Sequence, residues 1–567
     1  MKNNNLKIYD YNFFIFFIFL IIILLIKTIY QLDFTDEMQY YLQIKSLIKT
    51  GYLFQSDLFL QQLVYIIFYP FFYFHKILFG EKGLVLFGRL LMIFISVSVF
   101  IYSYREMKKL SIPCLIASSM SLCLTFAITP ANIFAISYNS INFAAWIIAS
   151  LKFFNWDNQR GFPYLFWTLL ITIMFFAHQT SAIVLTLIII IRLIKEKNYF
   201  SLYKLLLYGF ISIIISFIVL LNFAKPYDYL SSINFSKGFG SVGHTLLNAP
   251  NHLKILLFII FIYIIGNYAY RIINKKELYV RILIIMIIMY LLYLILFINK
   301  FCHPFYGYCE IMVVHFAILF VLLYTLGMIY LSKNEQLIET KINFKWLVLL
   351  FLLMGINFSF TSGNGINQFT FALLIIIPFV FSYSFVDYHN NNIINNLFKF
   401  INLKNFISTG ITILFIVHWL SYPYRQDKLW KSKYYLNSVP AFYGIKVSES
   451  FYNFVIIVQN ITKDFMNKEK VMLVSQYPAL YFILNNEPES CMVYMHSIGN
   501  TSDSKETFNN CMLSKNPDYI IILNPIENGL SKFINNYIVI KNYKKCYEKS
   551  FFELNERFIL EVYKKNN

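Results

Sequence analysis

Phe13 to Tyr30 carries a single charge, Lys27, and Ile255 to Tyr270 and Ile282 to Ile298 carry none. Runs of this kind match the roughly 20 apolar residues a helix needs to cross the hydrocarbon core of a bilayer. A chain with several of them has lipid as its main solvent. Composition agrees: of 567 residues 58% are hydrophobic, 20% aromatic and only 14% charged, with a mean hydropathy of +0.58, which excludes a set of soluble domains. The first run starts too early, and continues too long without a small-residue cleavage site, to be a removable signal peptide. It reads as a retained helix.

Hydropathy and chain breakers predict about thirteen spans, beginning near Phe13, Leu84, Ile112, Ile133, Tyr164, Ser181, Leu205, Leu253, Ile282, Ile311, Trp346, Phe369 and Phe406. With Lys2 and Lys7 on the cytoplasmic side, alternate loops should be basic. They are: Arg105, Lys108 and Lys109; Lys152 and Arg160; Arg192, Lys195 and Lys197; Arg271, Lys275, Lys276 and Arg281; Lys333 and Lys341; Lys399 and Lys404. The turns between them near Thr129, Gln179 and Gly363 hold no Lys or Arg. The formal net charge of +19 is therefore a topology signal. No basic face or RNA-binding motif accompanies it, which argues against nucleic acid as a partner.

An odd number of spans puts the C-terminus outside, and near Tyr424 the composition turns to that of a soluble domain. The expected organisation is an all-α polytopic membrane domain over 1–423, with a first outer loop at 31–83, and a small extracytoplasmic α/β domain over 424–567. Lys470 to Val474 and Asp518 to Leu523 read as short buried strands, and Glu449 to Lys463 and Pro478 to Leu484 as helices. The seven cysteines form no CxxC. Cys302 with Cys309, and Cys491 with Cys511, are the pairs that an oxidising outer side would allow to bridge; free thiols are the alternative.

Charged groups near lipid are expensive unless they serve a purpose or escape to the interface. Directly after the first span comes Asp33-Phe34-Thr35-Asp36-Glu37, followed by Tyr40 and Tyr41. In a helix Asp33 and Glu37 lie one turn apart, as do Asp36 and Tyr40. A carboxylate here can take a proton from an acceptor hydroxyl or hold a divalent cation; it can also simply cap an interfacial helix, through Asp33 or Thr35. Other polar groups fall on the same outer side: Ser137-Tyr138-Asn139-Ser140, His178-Gln179-Thr180, Lys300 with Cys302 and His303, and Thr361 to Gly365 with Asn364. The loop from Lys225 to His252 holds Gly238, Gly240 and Gly243, which would let it move as a lid. Cys302, His303, Cys309 and Glu310 match no closed zinc pattern, and no P-loop, HExxH or GxSxG appears in a suitable context. Lys27, close to the outer end of its span, is expected to snorkel to the interface.

From Leu32 to Tyr104 the chain resembles the GT-C glycosyltransferases, in particular the branch of protein O-mannosyltransferases and the bacterial aminoarabinose transferases that modify lipid A. The matching features are Asp36-Glu37 with Tyr40, then Gly51, Phe79-Gly80 and Arg89-Leu90. The resemblance implies an inverting transfer of a hexose or pentose from a polyprenyl-phosphate donor to a glycan, glycolipid or protein acceptor at the outer face of the cell inner or plasma membrane. It implies Asp36 as general base, with Glu37 as its support or as a ligand to a divalent cation and Tyr40 from the same motif beside them; Asn139, His178 and Asn364 are candidate substrate contacts from their place on the outer side, against the plainer readings of His178 as a helix end bonded to a carbonyl and Asn364 as part of a turn. The leaving phosphate needs cationic partners, for which Arg89, Lys300, Lys225 and His303 are the candidates. Two departures stand out. Where many relatives have Lys-Pro-Pro-Leu this chain has Leu60-Gln61-Gln62-Leu63, and where several carry a second acid it has Ser137-Tyr138-Asn139, whose amide cannot act as a base.

Two other functions fit a membrane protein of this kind. A lipid-linked polysaccharide polymerase or ligase would use the same outer face. A lipid-linked glycan flippase or transporter would place ionisable groups at the bilayer midplane in repeated, broken helices, and neither feature is present in the sequence.

Overall fold

The computed structural model describes residues 4–236 except 111, 130–132 and 157–162, scattered positions between 346 and 419, and residues 429–566 except 466–469, 487, 494–501, 525–527 and 555. The membrane part opens with α1 (Asn4–Ile29), α2 (Asp36–Thr50), α3 (Tyr65–Phe79, entered through a 3-10 turn at Leu60–Val64) and α4 (Leu84–Lys109). It continues through α5 (Cys114–Ala127), α6 (Tyr138–Phe154), α7 (Tyr164–Ala177), α8 (Gln179–Lys195), α9 (Tyr199–Phe223) and α10 (Pro226–Ser236). Tyr11–Ile29, Leu60–Phe79, Leu84–Lys109 and Tyr199–Phe223 are long and apolar enough to cross a membrane; Cys114–Ala127 and Tyr164–Ala177 are apolar but shorter. On α9 only Ser201, Leu205, Ser216 and Leu220 are buried, while Phe200, Phe210, Ile213, Phe217 and Ile218 lie exposed. A helix that turns its large apolar side chains outward is solvated by lipid. The chain is an integral membrane protein.

The predicted spans from Phe13 to Leu205 correspond to α1 and α4 to α9. Those from Leu253 to Phe406 fall largely outside the described residues. Leu60–Phe79 has the length of a span, yet both of its flanks are bonded to the C-terminal domain. Just before it, Leu58 N donates to Cys491 O at 3.0 Å, and just after it Gly83 N donates to Pro440 O at 2.9 Å. Both acceptors belong to the C-terminal domain, so both ends of the segment rest on one surface.

Two glycines fix how α2 sits. Gly51, with φ +75°, ends α2 in the left-handed region and donates its N–H to Leu47 O at 2.8 Å, a conformation that costs L-residues energy. At Gly88 on α4 a Cβ would come within 2.4 Å of Tyr41 Cε1, so α2 and α4 approach closely only because that side chain is absent.

The C-terminal domain carries β1 (Tyr434–Tyr435) and β2 (Lys446–Val447), paired antiparallel, and a four-stranded sheet in the order β3-β4-β6-β5. In it β3 (Val471–Val474) runs parallel to β4 (Tyr519–Asn524), and β6 (Glu556–Lys565) is antiparallel to both β4 and β5 (Tyr543–Glu553). Helices at Glu449–Ile461, Ala479–Ile483, Ser502–Ser514 and Asn528–Ile540 cover it. Cys491 and Cys511 are joined by a disulfide. This domain grips the first loop at several places, two of them apolar. Phe34 packs edge-on to Phe451 at 4.8 Å between ring centroids, and Leu58 and Phe59 enter the apolar cluster of Met472, Val474, Met492 and Phe508.

Candidate active site

The structure sorts the three acids of the first loop into three situations. Asp33 is the cap. Its Oδ1 accepts from Thr35 N at 3.0 Å and Thr35 Oγ1 at 2.5 Å, its Oδ2 accepts from Glu37 N at 3.1 Å, and its own N–H donates to Glu37 Oε2 at 3.2 Å. The exchange satisfies N–H groups that the start of a helix leaves without partners.

Glu37 is an anchor. Arg89 Nε meets Glu37 Oε1 at 2.7 Å and Arg89 Nη2 meets Oε2 at 2.8 Å, a two-point pair buried on both sides. The other donors of Arg89 reach the carbonyls of Lys27, Thr28, Tyr30 and Gln31 at 3.3, 3.0, 3.4 and 2.7 Å. These are oxygens that the end of α1 leaves unpaired, and a cation there also suits the negative end of the helix. Arg89 thus ties α1 and α2 to α4. A phosphate contact, the role expected for it, would have to displace that set of bonds.

Asp36 differs from its neighbours in being partly exposed, whereas Asp33 and Glu37 are fully buried. Its charge reaches the phenols of both Tyr40 and Tyr138. Tyr40 and Tyr138 meet edge to face at 6.4 Å, and Tyr138 stacks on His178 at 6.5 Å. Tyr138 and Asn139 are held at the first positions of α6 by a capping box: Ser140 N donates to Ser137 Oγ at 3.1 Å, and Ser137 N to Ser140 Oγ at 2.9 Å. His178 stands at the junction of α7 and α8, with Nδ1 2.9 Å from Ser181 Oγ and 3.0 Å from Thr180 Oγ1. Ser181 Oγ accepts from Asn142 Nδ2 at 3.2 Å and Asn357 Nδ2 at 3.0 Å. With its acceptor capacity used, that hydroxyl gives its hydrogen to His178 Nδ1, and the neutral ring carries its own proton on Nε2.

Of the residues expected at the site, Asp36, Tyr40, Asn139 and His178 therefore lie at one end of the helix bundle, with Glu37 and Arg89 packed behind them. Lys225 is exposed, its ammonium 5.9 Å from the Tyr52 ring, on the loop side where Leu53 N donates to Phe223 O. Lys300, His303, Asn364 and the glycines of the longer outer loop lie outside the described residues. Lys27 does not snorkel: it is 1% exposed, donates to Gln31 Oε1 at 2.5 Å and sits 5.6 Å from the Trp419 ring. Among the described residues no group of three His, Cys, Asp or Glu side chains is arranged to hold a metal ion.

No family model and no curated protein matches the chain. Among solved structures, the crystal structure of ArnT from Cupriavidus metallidurans bound to undecaprenyl phosphate aligns over 99% of this chain and 98% of that one, at 10% identity and a TM-score of 0.35. A superposition at that score does not establish a common fold.

One acid at this end of the molecule escapes the sequence reading. Asp57, in the loop between α2 and α3, is fully buried; its Oδ2 accepts from Gln39 Nε2 at 3.2 Å and Gln43 Nε2 at 2.7 Å, and its Oδ1 from Phe59 N at 3.2 Å. Burial pushes its carboxyl up to about 6, against the opposing pull of these hydrogen bonds. The signal available in the sequence was the pair Gln39 and Gln43, one turn apart on α2.

Proposed function

We propose that this protein is a glycosyltransferase that moves a sugar from a polyprenyl-phosphate carrier to an acceptor at the outer face of the membrane. The observation that carries the reading is the sorting of the acids: Asp33 and Glu37 are bound into the scaffold, and Asp36 is left partly exposed beside Tyr40 and Tyr138. In the reaction an acceptor oxygen attacks the anomeric carbon, and the bond from that carbon to the phosphate oxygen breaks with its electron pair leaving on the phosphate. The acceptor proton passes to Asp36, and the configuration inverts.

Each remaining residue has a part in this scheme. Glu37, held by Arg89, fixes the start of α2 and so the position of Asp36. The Nε2–H of His178 and the amide of Asn139 orient hydroxyls. With Arg89 engaged by Glu37, the leaving phosphate would draw its cations from Lys225, Lys300 and His303. The outer loop from 31 to 83 and the C-terminal domain then face the extracytoplasmic side together, and a glycan, glycolipid or protein serves as acceptor.

The test is mass spectrometry of surface glycans and glycolipids from cells with and without the gene. Loss of one sugar from one species names donor and acceptor together. An unchanged profile, with the protein present at normal abundance in the parent cells, would end the reading.

A further inference from the structure

The β1–β2 ribbon, Tyr434 to Val447, is fastened to the membrane part at two points, and both lie at the end of a helix long enough to span. At the first, just beyond α1, Gln31 N donates to Lys446 O at 2.8 Å and Tyr30 forms a bridge with Lys446. At the second, directly before α4, Gly83 N donates to Pro440 O at 2.9 Å and Lys82 Nζ sits 4.2 Å from the centre of the Tyr443 ring. Tyr11–Ile29 and Leu84–Lys109 are spans by length and composition. Both turn large apolar side chains outward, Ile22 and Leu25 on α1 and Leu90 and Phe94 on α4. A segment bonded to the ends of two lipid-facing helices lies at the level where hydrocarbon gives way to head groups.

The register of the ribbon decides which side chains share that level. Tyr435 pairs with Lys446, and paired residues of an antiparallel ribbon project to one side, as do residues two apart on a strand. Lys433, whose N–H continues the ladder to Val447 O at 2.9 Å, therefore shares a face with Tyr435 and Lys446. The Lys446 ammonium lies 4.7 Å from the Tyr435 ring and 5.2 Å from the Tyr30 ring, which turns this face to the end of α1. Lys82, Lys433, Tyr435 and Tyr443 are exposed, and Tyr30 and Lys446 are half-buried.

Charge separates this surface from an ordinary solvated one. Lys45, Lys109, Arg192 and Lys545 each pair with a carboxylate, but among the described residues none pairs with Lys82, Lys433 or Lys446. The anion that the edge of a bilayer supplies is a lipid phosphate. Phenol rings, apolar in body and polar at the tip, suit the same level, and lysine stems reach from it to the head groups.

We propose that Lys82, Lys433 and Lys446, with the rings of Tyr30, Tyr435 and Tyr443, form a docking surface for anionic phospholipid head groups, and that these lipids hold the C-terminal domain on the bilayer. The surface depends neither on the transfer reaction nor on which leaflet the domain faces.

Hydrogen exchange at the amides of Gln31, Lys433 and Leu436, which bond to the ribbon or across it, reports how often the surface lifts. The full chain is measured in nanodiscs of phosphatidylcholine alone and of phosphatidylcholine with phosphatidylglycerol. At about fivefold for each of three lysines, wild type should exchange about a hundredfold more slowly in the anionic discs, and raised salt should remove the difference. Lys433→Gln loses an ammonium that touches no ring or carboxylate among the described residues; it should match wild type in phosphatidylcholine and give back about fivefold of the slowing in the anionic discs. The triple variant Lys82→Gln, Lys433→Gln, Lys446→Gln should exchange alike in both discs. Equal protection of wild type in the two discs overturns the docking surface, and so does slowing that survives in the triple variant. A triple variant that already exchanges faster than wild type in phosphatidylcholine, with Lys433→Gln unaltered in either disc, would show that the lysines act only by packing on the rings, which also overturns it. Protection that rises with protein concentration in detergent, without phosphatidylglycerol, would make a second copy of the chain the occupant in place of lipid.

Discussion

Glu37 and Arg89, 52 residues apart, close a two-point ion pair at 2.7 and 2.8 Å in which neither side chain is more than 2% exposed. The pair joins the start of α2 to α4, and Arg89 extends it to the last carbonyls of α1. Three helices therefore meet at one guanidinium, immediately behind Asp36.

Removing one partner of such a pair leaves a buried charge without compensation, at a cost of about 3–5 kcal/mol. Glu37→Ala and Arg89→Met should each lower the unfolding temperature of the purified protein sharply. The double variant should be less damaged than the sum of the singles, with a coupling of about 1–3 kcal/mol. A double-mutant cycle read by thermal unfolding in detergent checks this; additive losses would show that the pair does not act as a unit.

This relationship also marks what the sequence could and could not reveal. The three acids after the first span were visible, and Asp33–Glu37 and Asp36–Tyr40 have the same helical spacing. Spacing alone cannot sort them, because the sorting comes from Arg89, Tyr138 and His178, which arrive from α4, α6 and the α7–α8 junction. Strands β3 and β4 were legible because they are short and apolar, β3 buried throughout and β4 buried at all but its two end residues. The β5–β6 hairpin was not: β5 reads Tyr543-Lys544-Lys545-Cys546-Tyr547-Glu548-Lys549 and is mostly exposed at the sheet edge, so it carries no apolar alternation. Charged residues on an edge strand guard against unwanted pairing, and the same feature hides the strand from a hydrophobic reading. Asp57 was missed for a third reason: a lone acid in a loop becomes informative only once its amide partners are seen.

Asp57 makes stability depend on pH in the direction opposite to that of most carboxylates. Its folded-state value, about 6, lies above the ordinary value of 3.8, so the folded protein holds that proton more tightly than the unfolded chain does. This favours the folded state fully below pH ~4 and is lost as pH rises to ~6, a change of about 3 kcal/mol. Asp57→Asn has no proton to lose. The stability of wild type relative to the Asn variant should therefore fall between pH ~4 and ~6 and level off above, a difference in which other titrating groups cancel. A gap that stays constant over this range would place Asp57 at an ordinary carboxylate value.

The disulfide between Cys491 and Cys511 closes a loop of 20 residues, for which chain entropy predicts about 3 kcal/mol of stabilisation. Its backbone also holds Leu58, through the bond from Leu58 N to Cys491 O, one residue from Asp57. Cys491→Ser, or reduction, should destabilise the C-terminal domain and raise hydrogen exchange at Leu58 and Phe59 as well. Exchange that rises in the domain but not in the loop would show that the two are held together by other contacts.

Sidedness can be read with the native cysteines. Cys546 is exposed in the C-terminal domain, whereas Cys114 is partly buried at the start of α5, beside Lys108 in a basic loop expected to be cytoplasmic. A maleimide that cannot cross the membrane, added to intact cells and followed by peptide mapping, should modify Cys546 and leave Cys114 untouched. Modification of Cys114 alone would place the Asp36 loop in the wrong compartment for a lipid-carrier reaction at the outer face.

Asp36 and Asp33 then separate catalysis from scaffold within three residues. If Asp36 takes the acceptor proton in the transition state, Asp36→Asn keeps the shape and loses the base, so turnover should fall by roughly 10² to 10⁴ with little change in unfolding temperature or donor affinity. Asp33→Ala removes the cap that accepts from Thr35 and Glu37. That change should cost about 0.5–2 kcal/mol of stability and reduce activity only as far as the start of α2 loosens. The two variants are thus expected to fail on opposite readouts. Asp36→Asn with activity within about twofold of wild type, at equal membrane abundance, would leave all three acids as parts of the scaffold. The transferase reading would then lose its proton acceptor.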